Sequence, residues 1–389
     1  MRVALIVEWL DAWRGGAETS TLQFLHHLLE FGCDIDVYTR SSAPSRPRLT
    51  IHTVDAGGPT RAFKTLSFSR RADAAVREKQ YDVVHAITPA LSADVYQPRG
   101  GTYAETIARN KVLPQSRPRR AARSALQLFK FKQRLMLNLE RRLFANSNGP
   151  VVVALSNYVV RQLKEHYDLP AERIRVIYNG VDPDTVSLQA RVRDRDAIRS
   201  LYKIRDDEFL VLMVAHNFKL KGLRCWIDAL ANLRHERGLP VQAIVVGKDS
   251  VVPWRKLVAA KGVEDCLQFA GATQRVRAFY HAADSMVHPT FYDPCSRVVL
   301  EAMVSGVPCV TTRFDGASEV VENGVNGFVV DSPEDTRELA DCVEKLADLA
   351  TRRHLGEAAA RIADRVSMRR HAEDMWGLYQ ELSNGRNTA

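Results

Sequence analysis

Sixteen consecutive residues read His288-Pro289-Thr290-Phe291-Tyr292-Asp293-Pro294-Cys295-Ser296-Arg297-Val298-Val299-Leu300-Glu301-Ala302-Met303. The apolar run at 285–288 predicts a buried strand that ends at the first proline. The second proline fits the first turn of a helix, where its missing N–H removes no hydrogen bond. The apolar spacing that follows predicts a helix packed under a sheet, ending at Gly306. The stretch is therefore predicted to be a strand-to-helix connection in an α/β fold.

Two carboxylates, Asp293 and Glu301, lie eight residues apart in this stretch. One precedes the predicted helix and the other lies in its second turn. Both can therefore face a ligand at the positive start of the helix, where backbone amides favour an anion. Alone, the pattern is better explained by two solvated acids beside an ordinary strand-to-helix connection.

The bulk composition favours a globular protein of two domains. The chain has 389 residues, 46% hydrophobic and 26% charged, which is ordinary for globular proteins. No apolar run approaches the eighteen or so residues needed to span a bilayer. The first residues, 1–8, predict a buried strand rather than a secretion signal.

Charge and cysteine content restrict the partners. The net charge of +9 favours an anionic partner: nucleic acid, an acidic membrane or a phosphorylated glycan. Six scattered cysteines without a C-x-x-C pair favour reduced thiols in a cytoplasm, and no metal site is expected. The pairs Asp34-Ile35-Asp36 and Asp182-Pro183-Asp184 fit a strand and a turn rather than a metal-binding D-x-D motif.

Much of the charge lies between residues 109 and 142, with apolar residues interleaved. This pattern is typical of a segment that binds anionic lipid headgroups, or phosphates on a glycolipid. An ordinary surface helix with a core-facing stripe explains it equally well. The aliphatic character of the interleaved residues argues against a nucleic-acid partner. The basic residues are Arg109, Lys111, Arg117, Arg119, Arg120, Arg123, Lys130, Lys132, Arg134, Arg141 and Arg142.

Strand and helix patterns alternate along both halves, which predicts two doubly wound parallel sheets. After the first strand, Gly15-Gly16 opens a helix, and paired glycines there let backbone amides approach a phosphate. In the second half, Lys221 precedes Gly222 at another helix start, with Lys219 nearby. A lysine in that position suits a diphosphate.

Several of these motifs together resemble glycosyltransferase family 4, which has the GT-B fold. The Asp293/Glu301 pair resembles the family's E-x7-E segment with Asp in place of the first Glu. Gly15-Gly16 resembles its G-G-x-E loop, and Asn179-Gly180-Val181-Asp182 resembles its junction into the second domain. The resemblance covers nearly the whole chain. It implies two Rossmann-like doubly wound domains facing a central cleft.

The resemblance also implies domain roles and donor-binding residues. Residues 1–178, with a C-terminal helix over 366–389 crossing back, would bind the acceptor, and 179–365 the nucleotide-sugar donor. Asp293 would contact the sugar, Glu301 the ribose, and Lys221 the leaving phosphate, as catalytic residues. Lys219 is the candidate for a second cation, where the family usually has an arginine in that loop. Backbone amides at the helix start would hold the diphosphate, those of Cys295, Ser296, Arg297 and Val298.

Acceptor residues are implied by a likeness to the lipopolysaccharide core glucosyltransferases of this family. These enzymes carry D-V-Y and then Y-A-E where this chain has Asp94-Val95-Tyr96 and Tyr103-Ala104-Glu105. By that match Asp94 would lie beside the sugar transfer site as a further catalytic residue, with His85, Tyr103 and Glu105 in its vicinity. From local sequence alone, Asp94 also fits a helix N-cap, and His85 an ordinary strand-end histidine.

The function implied is a retaining, metal-independent transfer of a hexose from a nucleotide-diphosphate sugar to a glycan or glycolipid. UDP-glucose is the favoured donor, followed by UDP-N-acetylglucosamine and GDP-mannose. A nucleotide-sugar epimerase and a catalytically silent binding protein of the same fold are the alternatives. The location expected is the cytoplasm, at the inner face of the membrane if the basic segment binds lipid. The sequence leaves the acceptor, the linkage and the oligomeric state open.

Overall fold

The structure, a computed structural model, describes residues 1–11, 16–113 and 131–387. The chain divides into two compact units. The first comprises Met1–Gly180 together with Met368–Ala389, and the second comprises Val181–Ser367. The sequence placed the two crossings at 178/179 and 365/366, each two residues before the observed division.

The first unit is built on a sheet whose seven strands, within the described residues, are all parallel. Their order is β3-β2-β1-β4-β5-β6-β7, so the chain reverses direction of winding between β1 and β4. The strands are β1 (Arg2–Ile6), β2 (Asp34–Thr39), β3 (Leu49–Thr53), β4 (Val83–Ala86), β5 (Val95–Tyr96), β6 (Val151–Ala154) and β7 (Ile174–Val176).

Helices cover both faces of this sheet, because alternate residues of β1 point to opposite sides. Val3 and Leu5 pack with Phe24 of α1, whereas Ala4 and Ile6 pack with Phe68 of α2. The helices of this part of the chain are α1 (Gly16–Glu30), α2 (Arg61–Arg77), α3 (Tyr103–Val112), α4 (Phe131–Ala145) and α5 (Asn157–Tyr167).

The second unit repeats the architecture with six parallel strands in the order β10-β9-β8-β11-β12-β13. The winding reverses between β8 and β11, where ligands bind in open sheets of this kind. Its strands are β8 (Phe209–Val214), β9 (Val241–Val246), β10 (Leu267–Gly271), β11 (Ser285–His288), β12 (Cys309–Thr312) and β13 (Gly327–Val330).

The remaining helices cover the second sheet, except the last, which belongs to the first unit. Met375 and Tyr379 of that last helix pack into the same core as Phe24. The helices are α6 (Leu188–Leu201), α7 (Leu223–Ala231), α8 (Val252–Ala260), α9 (Val276–Ala282), α10 (Arg297–Val304), α11 (Thr336–Ala347), α12 (Leu349–Ala360), α13 (Ala363–Val366) and α14 (Met368–Asn387).

The helix of the quoted stretch begins later than the sequence predicted. Pro294 was expected in its first turn, but the N-cap is Ser296 and α10 starts at Arg297. Ser296 is held in an extended conformation (φ −67°, ψ 111°) while its amide donates to the Asp315 carboxylate, 3.0 Å away. The chain at Pro294 is therefore part of the loop, not of the helix.

The structure describes only part of the predicted lipid-binding segment, since residues 114–130 lie outside the described ranges. In α4 the apolar residues Met136, Leu143 and Phe144 are buried in the protein core, and Arg134, Arg141 and Arg142 are exposed. The described part is thus an amphipathic helix whose apolar side faces inward. Among the described residues, no helix has the length and apolar character needed to cross a membrane.

Candidate active site

Two loops meet at the carboxyl edge of the second sheet, where the winding reverses. One follows β8 and the other follows β11, and these strands are neighbours. The amide of Phe291 in the second loop donates to the carbonyl of Leu220 in the first, at 2.9 Å. Gly222 packs against the second loop at Pro289. The loops are therefore joined before any ligand arrives.

The joined loops bring Lys221 and Asp293 together. The ammonium of Lys221 lies 2.6 Å from Oδ2 of Asp293 and 2.9 Å from the carbonyl oxygen of Tyr292. Each of the two side chains is 16% exposed. The pair is thus shielded from most solvent screening yet open on one side, as a site for an anionic ligand requires.

A second carboxylate, that of Asp315, is fully buried and close enough to interact with the charge of Asp293. Burial and the negative charge of Asp293 raise the pKa of Asp315. Burial also disfavours ionisation of Asp293, but Lys221 and the imidazole of His288 outweigh it and hold the pKa of Asp293 below its usual range. His288 lies 3.5 Å from Oδ2 of Asp293. Asp293 is therefore the carboxylate that stays ionised, and it faces Lys221.

Glu301 lies one turn along α10 and has two partners in the structure. Its Oε2 accepts a hydrogen bond from the hydroxyl of Tyr280 at 3.0 Å, and its Oε1 lies 3.0 Å from the guanidinium of Arg297. Burial and the carboxylate raise the pKa of Tyr280 well above its usual value, so the phenol remains a donor. Glu301 is 25% exposed, which leaves room for a ligand hydroxyl.

The predicted phosphate-binding amides fall into two pairs. The amide of Cys295 donates to Asp293 Oδ1 at 3.3 Å, and that of Ser296 donates to Asp315 Oδ1 at 3.0 Å. These two amides bind carboxylates of the chain itself, and their contact with a phosphate stays a prediction. Arg297 and Val298 are the first residues of α10, where amides have no acceptor within the helix. They remain the predicted phosphate contacts.

The other predicted donor-binding residues are Lys219, Gly15 and Gly16. Lys219 lies in the first loop, half-buried, and its carbonyl accepts from the amide of Gly222 at 3.4 Å. Gly16 begins α1 and is exposed. Gly15 lies outside the described residues.

The structure places Asp94 immediately before β5, and its role beside the sugar transfer site stays a prediction. Its carboxylate accepts from the backbone amide of Val84 at 2.8 Å, and its own amide donates to the carbonyl of Val84. Asp94 is therefore bonded within the sheet, before β5 begins. The carboxylate thus links β4 to the residue that precedes β5.

Two further acceptor candidates are buried in structural networks. His85 has no exposed surface, and its Nδ1 lies 2.6 Å from the hydroxyl of Tyr379. Burial and the charge of Arg99 lower the pKa of His85 well below its usual value. Glu105 is 4% exposed, and it holds Arg109 at 2.5 Å and His166 at 2.7 Å. Both side chains are thus bonded within the protein, and their place near an acceptor stays a prediction.

Tyr103 is the accessible member of this group. It follows the carboxyl end of β5 as the first residue of α3 and is half-buried. Its amide donates to the carboxylate of Glu140 at 2.9 Å, and the Glu140 carboxylate also accepts from the hydroxyl of Tyr167. Burial raises the pKa of Glu140 to about 7. The carboxylate of Glu140 thus accepts a hydrogen bond from the first amide of α3.

Sequence reasoning missed Asp315, Tyr280 and Glu140. The first lies in an Asp-Gly turn, the second inside a short helix, and the third within the basic segment. None has a spacing that marks a site, because each reaches its partners through tertiary packing. Within the described residues, no group of three His, Cys, Asp or Glu side chains could hold a metal ion.

Comparisons with known proteins match both units. The family model described as Glycosyltransferase Family 4 matches residues 14–185, and the model described as Glycosyl transferases group 1 matches 194–362. Together they account for nearly the whole chain. The chain is a glycosyltransferase with a family 4 domain and a group 1 domain.

Individual relatives agree with this assignment. The lipopolysaccharide glucosyltransferase WaaG of Escherichia coli strain K12 is 23% identical over 372 residues, covering 95% of this chain and 94% of the relative. A crystal structure of WaaG, a glycosyltransferase involved in lipopolysaccharide biosynthesis, superposes with a TM-score of 0.79 at 22% identity, over 96% of this chain and 98% of that one. Anabaena HepE in complex with UDP and glucose gives a TM-score of 0.71 at 20% identity, over 98% and 99%.

These findings confirm three predictions for this glycosyltransferase. Its fold is GT-B, with two parallel α/β units. It is an enzyme of the hexosyltransferase class. Its resemblance to family 4, and within it to a lipopolysaccharide glucosyltransferase, is also confirmed.

Proposed function

We propose that this glycosyltransferase moves glucose from UDP-glucose to a glycan or glycolipid acceptor, such as a lipopolysaccharide core, with retention of anomeric configuration. The observation that carries the proposal is the ion pair of Lys221 and Asp293 at the start of α10, with Glu301 one turn further on. Two similar proteins support UDP-glucose: HepE, which binds UDP and glucose in its crystal structure, and WaaG, which is a lipopolysaccharide glucosyltransferase.

The proposed roles follow from the chemistry of each group. Asp293 accepts hydrogen bonds from sugar hydroxyls, and Glu301 accepts from the ribose hydroxyls. Lys221 and the amides of Arg297 and Val298 stabilise the negative charge that grows on the diphosphate as it leaves. Such preorganised groups cost little reorganisation during the reaction.

The step that we propose leaves the sugar with its original configuration. The bond between the anomeric carbon and the diphosphate oxygen breaks, and the acceptor oxygen bonds to the same face of that carbon. The acceptor proton passes to the leaving phosphate, so the chain needs no nucleophile. Since Lys221 and the amides supply the positive charge, we propose that no metal ion takes part. An assay in EDTA would then match one in magnesium.

A thermal-shift panel tests the donor. Its members are UDP, GDP, ADP and their common sugar conjugates, each with and without magnesium. A ligand that binds only the folded protein stabilises it by about 2.7 kcal/mol at a hundredfold excess over its Kd. We expect UDP and UDP-glucose to raise the Tm equally in magnesium and in EDTA.

The other outcomes are equally informative. A preference for GDP or another sugar would replace the donor proposed here. An absolute need for magnesium would contradict the metal-independent mechanism. Conversion of the sugar without any acceptor would favour an epimerase, and no stabilisation by any nucleotide would favour a silent binding protein.

We also propose that the basic segment attaches the enzyme to anionic membranes at the cytoplasmic face. In the part of the segment that the structure describes, exposed basic residues are the ones available to bind lipid headgroups. Arg109 is paired with Glu105, whereas Lys111 and the three arginines of α4 are exposed. A phosphorylated glycolipid acceptor would carry the same charge as the lipid surface.

Vesicle binding tests this attachment. We expect the protein to bind vesicles of anionic lipid and to dissociate as salt is raised, because surface charge is screened. Each basic residue near such a surface contributes about 1 kcal/mol, so three substitutions should weaken binding about a hundredfold. The test variant carries the substitutions Arg117→Gln, Arg119→Gln and Arg120→Gln.

The control removes the same charge from exposed positions of the second unit. It carries Arg353→Gln, Arg361→Gln and Arg365→Gln. Equal vesicle binding by the test variant and the control would refute a membrane role for the segment.

A further inference from the structure

The side chain of Arg297 has a position that the roles above do not use. It stands at the first residue of α10, where the diphosphate is proposed to bind, yet its guanidinium turns along the helix to Glu301. The side chain is only 9% exposed, so its charge is held close to the site and shielded from bulk water. A buried guanidinium beside an anion site is a strong potential ligand for phosphate.

The charges around the start of α10 pose a problem for binding an anion. The described side chains there include two cations, Lys221 and Arg297, and each is paired with a carboxylate. Asp315 adds a third acid, although its raised pKa reduces its charge. A diphosphate would therefore enter a site with no excess of positive charge. The amides at the helix start favour the anion, and binding becomes stronger if the cations exchange their carboxylate partners for the phosphates.

The donor itself carries the groups that make this exchange possible. Asp293 and Glu301 are the acids proposed to accept from sugar and ribose hydroxyls. Once hydroxyls donate to these carboxylates, neither acid is left buried without a partner, which would otherwise be costly. Lys221 and Arg297 can then turn toward the diphosphate without leaving an uncompensated charge behind them.

We propose that Arg297 is a diphosphate-binding residue, held on Glu301 until the ribose of the donor takes its place. This inference rests on the proposed donor site and assigns a second cation to it. The guanidinium can donate two parallel hydrogen bonds to one phosphate group. The nucleoside alone would displace Arg297 from Glu301 but would offer it no phosphate.

Binding of UDP and of uridine to wild type and Arg297→Leu, measured by calorimetry or ligand-observed NMR, tests the inference. A hydrogen bond to a charged group contributes enough that we expect UDP affinity to fall about 10- to 100-fold. Uridine affinity should stay the same or rise, because the carboxylate of Glu301 no longer has to release an arginine. The salt dependence of UDP binding should also become weaker.

Two further variants separate phosphate binding from support of Glu301. Arg297→Lys keeps the charge but cannot donate two parallel hydrogen bonds to one phosphate. Its UDP affinity should therefore lie between those of wild type and Arg297→Leu. Tyr280→Phe removes the other hydrogen bond to Glu301 without changing any charge. It should lower the affinities for uridine and UDP by the same factor. If Arg297→Leu does not fold, the comparison of UDP with uridine in Arg297→Lys decides the question.

Two results would overturn the inference while leaving the donor site intact. In one, Arg297→Leu loses affinity for uridine and UDP equally, as Tyr280→Phe does, which would make Arg297 a positioning residue for Glu301. In the other, Arg297→Leu binds UDP as wild type does. If wild type itself binds none of UDP, GDP or ADP, the donor site fails first, and the role of Arg297 fails with it.

Discussion

Lys221→Ala should lower the rate of sugar transfer about 10²- to 10³-fold, the loss typical of removing one preorganised group that stabilises transition-state charge. Its ammonium lies 2.6 Å from Asp293 at the start of α10, beside the proposed path of the leaving diphosphate.

Glu301→Ala should lower transfer by a similar factor, because the ribose would lose its carboxylate. The measurement is the initial rate of UDP release with acceptor present.

Lys221→Ala also changes the protein in the absence of a ligand, so its folding must be checked. Removal of the ammonium leaves Asp293 without its main counter-charge, and the pKa of that carboxyl group should rise toward its usual range. We expect the Tm to fall modestly and circular dichroism to stay native. Lys256→Ala removes an exposed lysine from α8 of the same unit and serves as the control. Wild-type turnover by either site variant would refute the site assignment.

The fold could be predicted from the sequence because its evidence is local. Apolar runs such as Phe209–Val214 are buried strands that need both faces of a sheet covered. Their alternation with amphipathic helices leaves parallel winding as the natural arrangement. The order of the strands, with its reversal between β8 and β11, matches one of the common orders of such sheets.

The site could be predicted only where sequence neighbours remain neighbours in space. Asp293 and Glu301 are separated by one loop and one helical turn, so their spacing suffices. Asp94 shows the limit, because a two-residue strand carries no periodic pattern, and its carboxylate turned to the amide of Val84. Asp315 shows it again, since its bond to Ser296 spans nineteen residues.

Gly222→Ala should destabilise the second unit and also disrupt donor binding. Gly222 has φ +76°, and a Cβ there would lie 1.8 Å from the carbonyl oxygen of Pro289. A left-handed backbone costs a non-glycine residue about 1–3 kcal/mol, and forcing atoms into a packed space costs about 1–3 kcal/mol more. The two loops must therefore separate, which draws Lys221 away from Asp293. Thermal denaturation and UDP binding measure the two effects.

Gly324→Ala supplies the matched control, because Gly324 has φ +73° in the same unit but open space where its Cβ would stand. It bears only the backbone cost, about 1–3 kcal/mol, and should bind UDP as wild type does. The difference between the two variants then measures the close approach of the loops rather than the left-handed conformation. If both variants lose the same stability and both keep UDP affinity, contact at Pro289 is not what positions Lys221. If Gly222→Ala loses UDP affinity at a temperature where it is still folded, the joined loops are a requirement of the site itself.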